Sequence, residues 1–139
     1  SGIIILNDTT NLKFSNRNDG SGIFKYIYEN NTILFTGDLG IKGENKYASV
    51  YGNLLKSDIL KVGHHGSKHS TGENFLSIVQ PSIALISVGE NNKFGHPEQV
   101  VLEKLKNDSI KIFRTDKEGA VIIRGDGNIL RKFDWRDHW

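Results

Sequence analysis

The chain has 139 residues, a formal net charge of +2 and 37% hydrophobic residues, enough for about one domain with a modest core. It has no cysteine, which excludes disulfides and thiolate metal sites. The weak, scattered charge leaves no nucleic-acid footprint by composition alone, and no apolar run nears the roughly 20 residues of a membrane span. No signal-peptide pattern is visible and no methionine is present, not even at position 1, so the chain reads as a piece of a longer protein.

The run 3–6 is a short buried strand, and the Asn-, Asp- and Gly-rich stretch 7–21 a loop. Residues 23–28 and 32–35 are strands of a hairpin turning at 29–31. Gly37-Asp38-Leu39-Gly40 breaks the second of them. Helical spacing of Tyr47, Val50, Tyr51, Leu54 and Leu55 predicts a helix over 45–55. A strand over 59–62 runs into Gly63-His64-His65-Gly66-Ser67-Lys68-His69-Ser70. A helix over 73–79 is stopped by Pro81, and 83–88 is a central strand. Gly95-His96-Pro97 opens a helix reaching Lys106, with Pro97 in its first turn. Strands over 110–113 and 120–124 follow, and Asp126-Gly127 turns into a last strand, 129–133. The tail 134–139 frays or covers a surface. Strands and helices alternate through the middle with hairpins at the flanks, which predicts a single α/β domain over 1–139, a mixed sheet with helices mainly on one face.

Three motifs sit where a strand stops. Asp38 can aim a carboxylate into a cleft and bridge two metal ions with its two oxygens, or can simply cap a turn. In the adjacent pair His64 and His65, one imidazole can bind metal and the other face a substrate, with glycines allowing a sharp turn. At a strand end the two side chains would point in opposite directions. Ser67 and Lys68 can meet a phosphate. The same segment also reads as a polar loop with incidental histidines. His96 precedes a helix start, a natural anion site, and is either a general acid and phosphate ligand or a capping residue. His69 and His138 read as structural.

In order, these motifs resemble metallo-β-lactamase-fold hydrolases, and within them the bacterial competence DNA-uptake channel (ComEC) family. The segment 32–38 resembles the strand and metal-bridging aspartate, and 58–68, with Leu-Lys-Val-Gly-His-His-Gly-Ser, the final histidine motif. The segments 86–97 and 113–121 are similar to the next motif and the closing strand, and Asn18-Asp19-Gly20-Ser21 to the loop before the hairpin. The founding His-x-His-x-Asp-His motif is absent, so the resemblance covers the C-terminal half of an αββα sandwich.

The resemblance implies two zinc or manganese ions in the complete domain, weakly held or missing in this chain, with Asp38 and His64 as ligands. It assigns His96, Lys68 and Ser67 to catalysis, and His65, Ser67, Lys68 and His96 to substrate. It implies phosphodiester hydrolysis, with DNA as substrate in natural competence, and an inactive isolated chain. The expected partners are the upstream half of the domain, DNA or another phosphodiester, and a second copy as a possible homodimer. The parent is expected in a bacterial membrane, with this domain extracytoplasmic. Two alternatives stand beside this: a small-molecule phosphodiesterase of phosphocholine-esterase type, and a non-catalytic module binding nucleic acid or a partner.

Overall fold

The computed structural model describes residues 1–6 and 18–138; most of the expected loop 7–21 lies outside them. A six-stranded sheet runs β1 (Gly2–Leu6), β2 (Ile23–Tyr28), β3 (Asn31–Phe35), β4 (Ile59–Lys61), β5 (Ile83–Ile86) and β6 (Lys111–Arg114), in sequence order. The first three strands pair antiparallel and β3 to β6 pair parallel, so the sheet is mixed. Parallel neighbours need crossovers. These are α1 (Ile41–Tyr51), α2 (Glu73–Val79) and α3 (Gln99–Asn107). A one-turn α4 (Thr115–Glu118) and a hairpin of β7 (Val121–Gly125) and β8 (Leu130–Asp134) complete the described chain.

Strand register sorts the side chains. Leu6, Ile23, Leu34, Leu60, Ala84 and Ile86 lie on one face and pack against Tyr47, Phe75, Leu76, Val79, Val101 and Leu105 of the helices. Each of the larger aliphatic side chains buried there contributes about 1.5–3 kcal/mol. Lys25 shares this face and is buried; its ammonium donates to the carbonyls of Leu54 (3.1 Å) and Lys56, capping the segment after α1. Register between β3 and β4 is fixed by Thr32, whose N–H and hydroxyl both donate to Asp58 Oδ2 at 2.7 Å.

The opposite face carries Ile3, Ile5, Phe24, Tyr26 and Tyr28. The β7–β8 hairpin covers part of it, held by Gly127 N–H donating to Asn31 Oδ1 at 2.9 Å and by the Lys132 ammonium over the Phe113 ring. Ile3 and Ile5 remain 64% and 75% exposed, an apolar area of the kind that usually meets another surface.

Several elements differ from the sequence expectation. Helix α1 begins at Ile41, four residues early, and gives way after Tyr51 to a 3-10 turn over Gly52–Leu55; Gly43 inside the first turn hid its start. Helix α3 begins at Gln99 with Glu98 as its N-cap, so Pro97 lies outside it. Strand β5 ends at Ile86, and Val88 is instead held by the Thr115 hydroxyl through both its N–H and its carbonyl. Asp134 belongs to β8, and the tail proper is a 3-10 turn, Trp135–His138, whose Trp135 indole covers Gly119 and donates to Glu118 O at 2.9 Å.

Candidate functional site

The loops after β3, β4 and β5 lie at the carboxyl edge of the parallel strands, where open α/β sheets place their ligands. Asp38 follows the turn made by Gly37, whose φ is +55°. This turn is tied to the histidine loop: His64 N–H donates to Gly37 O at 3.1 Å, and the Thr36 hydroxyl donates to Lys61 O at 3.2 Å. A Cβ at Gly63 would sit 3.1 Å from the Thr36 hydroxyl, so glycine lets the two loops approach this closely without displacing either.

His64 and His65 both adopt left-handed backbone, with φ of 47° and 55°. The alternation argument that separated their side chains therefore does not apply, because neither residue is in extended strand. Consecutive left-handed residues other than glycine cost roughly 1–2 kcal/mol each, and strain of this kind gathers at functional sites. His65 Nδ1 lies 2.6 Å from Ser87 O. A carbonyl only accepts, so Nδ1 carries the proton and Nε2 is the nitrogen left for another partner. That nitrogen is 3.9 Å from Asp38 Oδ1. Two electron-rich groups face each other, an arrangement that a proton or cation between them would stabilise. His64 instead packs edge-on against the His96 ring, centroids 5.9 Å apart.

His96 is braced by Asn92, whose Oδ1 accepts from His96 N–H at 2.9 Å and whose Nδ2 donates to His96 O at 2.7 Å. Its Nδ1 is buried without a hydrogen-bond partner, 4.0 Å from Glu98 Oε1. Desolvation holds its pKa below the ordinary histidine range against the opposing pull of Glu98. Lys68 pairs with Glu98 at 3.2 Å, and its N–H donates to the other Glu98 oxygen at 3.0 Å. Ser67 is 3% exposed and its hydroxyl accepts from His69 N–H at 3.3 Å, so it lies inside the loop. Asp38, His64, His65, Lys68 and His96 thus share one edge, with Ser67 beneath it.

Three residues here escaped the sequence reading. Lys61, a lysine in an otherwise apolar strand, donates to Val62 O at 2.9 Å; desolvation lowers its pKa while the Asp38 charge raises it. Glu98 is held below the carboxylate range chiefly by the Lys68 amide and joins the histidine loop to the start of α3. Glu44 is buried in the first turn of α1, and its carboxylate accepts from Thr71 N–H at 2.6 Å and Gly72 N–H at 2.8 Å. For Glu98 the signal was an acid directly after His96-Pro97; for Glu44 the sequence offered none.

Gly66 is the tightest junction of the edge. With φ +85°, a Cβ there would lie 2.5 Å from Pro97 Cβ. We expect Gly66→Ala to cost about 3 kcal/mol, from overpacking together with left-handed strain, read as a lowered urea midpoint. An unchanged midpoint would show that the two loops separate easily.

As donors, one carboxylate and imidazoles suit zinc or manganese. Among the described residues no group of three or more His, Asp or Glu side chains is placed to hold an ion, whereas zinc sites normally use at least three protein ligands. The donor set fits part of a metal shell.

A mixed sheet with its helices on one face is consistent with a fragment of a metallo-β-lactamase fold. Residues 14–90 match the Metallo-beta-lactamase superfamily, and the chain belongs to that superfamily. It is 50% identical over 91 residues (66% of this chain, 12% of the relative) to ComE operon protein 3 of Bacillus subtilis. It is 38% identical over 125 residues (88% and 18%) to Competence protein ComA of Neisseria gonorrhoeae, and 42% identical over 93 residues (67% and 11%) to Recombination protein 2 of Haemophilus influenzae. The chain therefore spans less than a fifth of these relatives' length. No helix among the described residues is long and apolar enough to cross a membrane.

Proposed function

We propose that the chain is the C-terminal part of a metal-dependent phosphodiesterase domain that cleaves DNA during competence. The observation that carries this reading is the approach of His65 Nε2 to the Asp38 carboxylate, at 3.9 Å, with Nδ1 engaged by Ser87 O. When bound, zinc or manganese ions would polarise the phosphate and supply hydroxide. Asp38 and His64 are assigned to hold metal. His65, Lys68 and His96 are assigned to the phosphate. The lowered pKa of His96 leaves it neutral near pH 7, so its part is to hydrogen-bond a phosphate oxygen rather than to deliver a resident proton. Ser67, inside the loop, is assigned to shaping it. The exposed Ile3 and Ile5 are assigned to contact with the upstream half of the domain, with a second copy of this chain as the competing occupant. Because its metal shell is partial, the isolated chain is assigned no activity of its own; the parent protein is placed in the bacterial membrane with this domain outside.

One observation favours exchanging the two histidine roles: His65, not His64, presents its free nitrogen to Asp38. The experiment adds manganese or zinc to the chain alone and to the chain joined to its upstream half, and follows DNA cleavage and bound metal. We expect background cleavage from the short chain, metal-dependent cleavage from the longer one, and loss of bound metal in His64→Ala only. Metal loss in His65→Ala only would exchange the roles. Cleavage of a choline phosphodiester but not DNA would select the small-molecule reading, and no cleavage by the longer chain the non-catalytic one.

A further inference from the structure

Phe94 has no part in the reading above, yet it stands on the same edge. Its ring is 68% exposed. A single exposed aromatic is ordinary, but this one is held in place. The Asn92 side chain donates to Gly89 O at 3.1 Å and clasps both the N–H and the carbonyl of His96, so the loop that presents Phe94 is ordered before any ligand arrives. The ring lies nearly parallel to the His96 imidazole, 19° apart with centroids at 6.0 Å. The Lys93 ammonium is 5.2 Å from its centroid. Beside it opens a cavity of about 500 Å³ lined by His65, Ser87, Val88, Asn92, Phe94 and His96. The backbone groups of that wall are engaged: Ser87 O with His65, Gly89 O with Asn92, and Val88 through both groups with Thr115. The pocket offers an aromatic face and a cation, and these backbone groups are not free to read base edges.

We propose that Phe94 is a stacking platform for a nucleobase flanking the scissile phosphate, so that the site takes single-stranded nucleic acid with little sequence preference. Stacking on an aromatic ring tolerates any base because every base has a π face. A base paired within a duplex cannot reach such a platform without being flipped out. Lys93 adds attraction for the neighbouring backbone phosphate; Glu90 on the same loop opposes it at longer range. The proposal rests on the phosphodiesterase reading, and a binding test without metal keeps the two separable.

The full chain is titrated in EDTA against a fluorescein-labelled single strand of mixed sequence, an abasic strand with the same number of phosphates, and the duplex. Anisotropy should show the base-bearing strand bound about tenfold tighter than the abasic one, the order of one base–aromatic stack, and tighter than the duplex. Phe94→Ala should bring that ratio near one, and Phe94→Trp should keep it. Lys93→Ala should weaken both strands alike and reduce the salt dependence by roughly one phosphate contact. Equal affinity for abasic and base-bearing strands, an unchanged ratio in Phe94→Ala, or no measurable binding of any strand would overturn it. If the ratio holds while the longer chain fails to cleave, the stacking site stands and the hydrolase reading falls. If cleavage holds while the ratio is one, the reverse follows.

Discussion

Asp38→Ala, made in the chain joined to its upstream half, is expected to lower metal-dependent DNA cleavage by at least ~10³-fold, on the order of 4 kcal/mol of transition-state stabilisation. The expectation follows from position. The carboxylate stands half exposed at the end of β3, facing His65 Nε2 and within the field of the Lys61 ammonium. Glu98, the carboxylate near His96, is already paired with Lys68, whereas Asp38 faces His65 Nε2, and its two oxygens can bridge two cations. Its removal should cost little stability, since the side chain is half exposed and the turn is held by backbone bonds from Leu39 to Thr36 and from His64 to Gly37. The effect should therefore fall on kcat and on metal content, with single-strand affinity in EDTA not reduced, because Phe94 and Lys93 are untouched and a negative charge near the strand is removed. Asp38→Asn should lose nearly as much, since the amide keeps the shape without the charge. Cleavage within tenfold of wild type, with metal retained, would remove Asp38 from the site.

Much of this edge is legible in the amino-acid sequence. The apolar runs of β3, β4 and β5 are short and end in Thr36-Gly37-Asp38, Gly63-His64-His65-Gly66 and the segment before Gly95-His96-Pro97. A strand that ends in glycine and a polar side chain points to the carboxyl edge of a sheet, and parallel pairing then brings three such ends together. Local pattern carried no information about which face of a strand turns inward. In β2, Ile23, Lys25 and Ile27 alternate with Phe24, Tyr26 and Tyr28, and it is Ile23 and Lys25 that are buried on the helix side. Lys25 is tolerated there because its ammonium finds two carbonyls, partners separated from it by about thirty residues of sequence. The alternation argument for His64 and His65 does not apply, for a related reason. Period-two alternation holds only while the backbone is extended, and both residues are left-handed. Glu98 and Glu44 act by bonding backbone N–H groups of distant loops, which no spacing rule encodes.

Glu44 gives the second large effect, on stability and its pH dependence. Its carboxylate is 1% exposed, and beyond the two amide donors the Lys104 ammonium, itself donating to Thr71 O at 2.8 Å, is its charged neighbour. Burial outweighs all three and pushes the pKa from 4.5 up to about 7. Between those values the folded chain binds the proton more tightly than the unfolded chain does. This contribution to stability is thus fully present below about pH 4.5 and lost as pH rises through about 7, a fall of about 3 kcal/mol. His96, whose pKa is lowered on folding, acts in the opposite direction, with stability gained as pH rises through the ordinary histidine range. The carboxylates held low, such as Asp134 at about 2, lose their contribution only below pH 4.5. The informative quantity is therefore the difference between wild type and Glu44→Gln in urea unfolding at pH 5 and pH 8. Glu44→Gln cannot ionise, so it should be less stable than wild type at pH 5, where one amide donor meets its NH₂ group, and should close most of that gap by pH 8. Glu44→Ala should cost about 4 kcal/mol at pH 5, because it leaves the Thr71 and Gly72 N–H groups buried and unpaired and opens a cavity. It should also loosen the loop that carries Lys68. A gap between wild type and Glu44→Gln that stays constant from pH 5 to pH 8 would mean that Glu44 is already ionised in the folded chain, its charge carried by the two amides and Lys104.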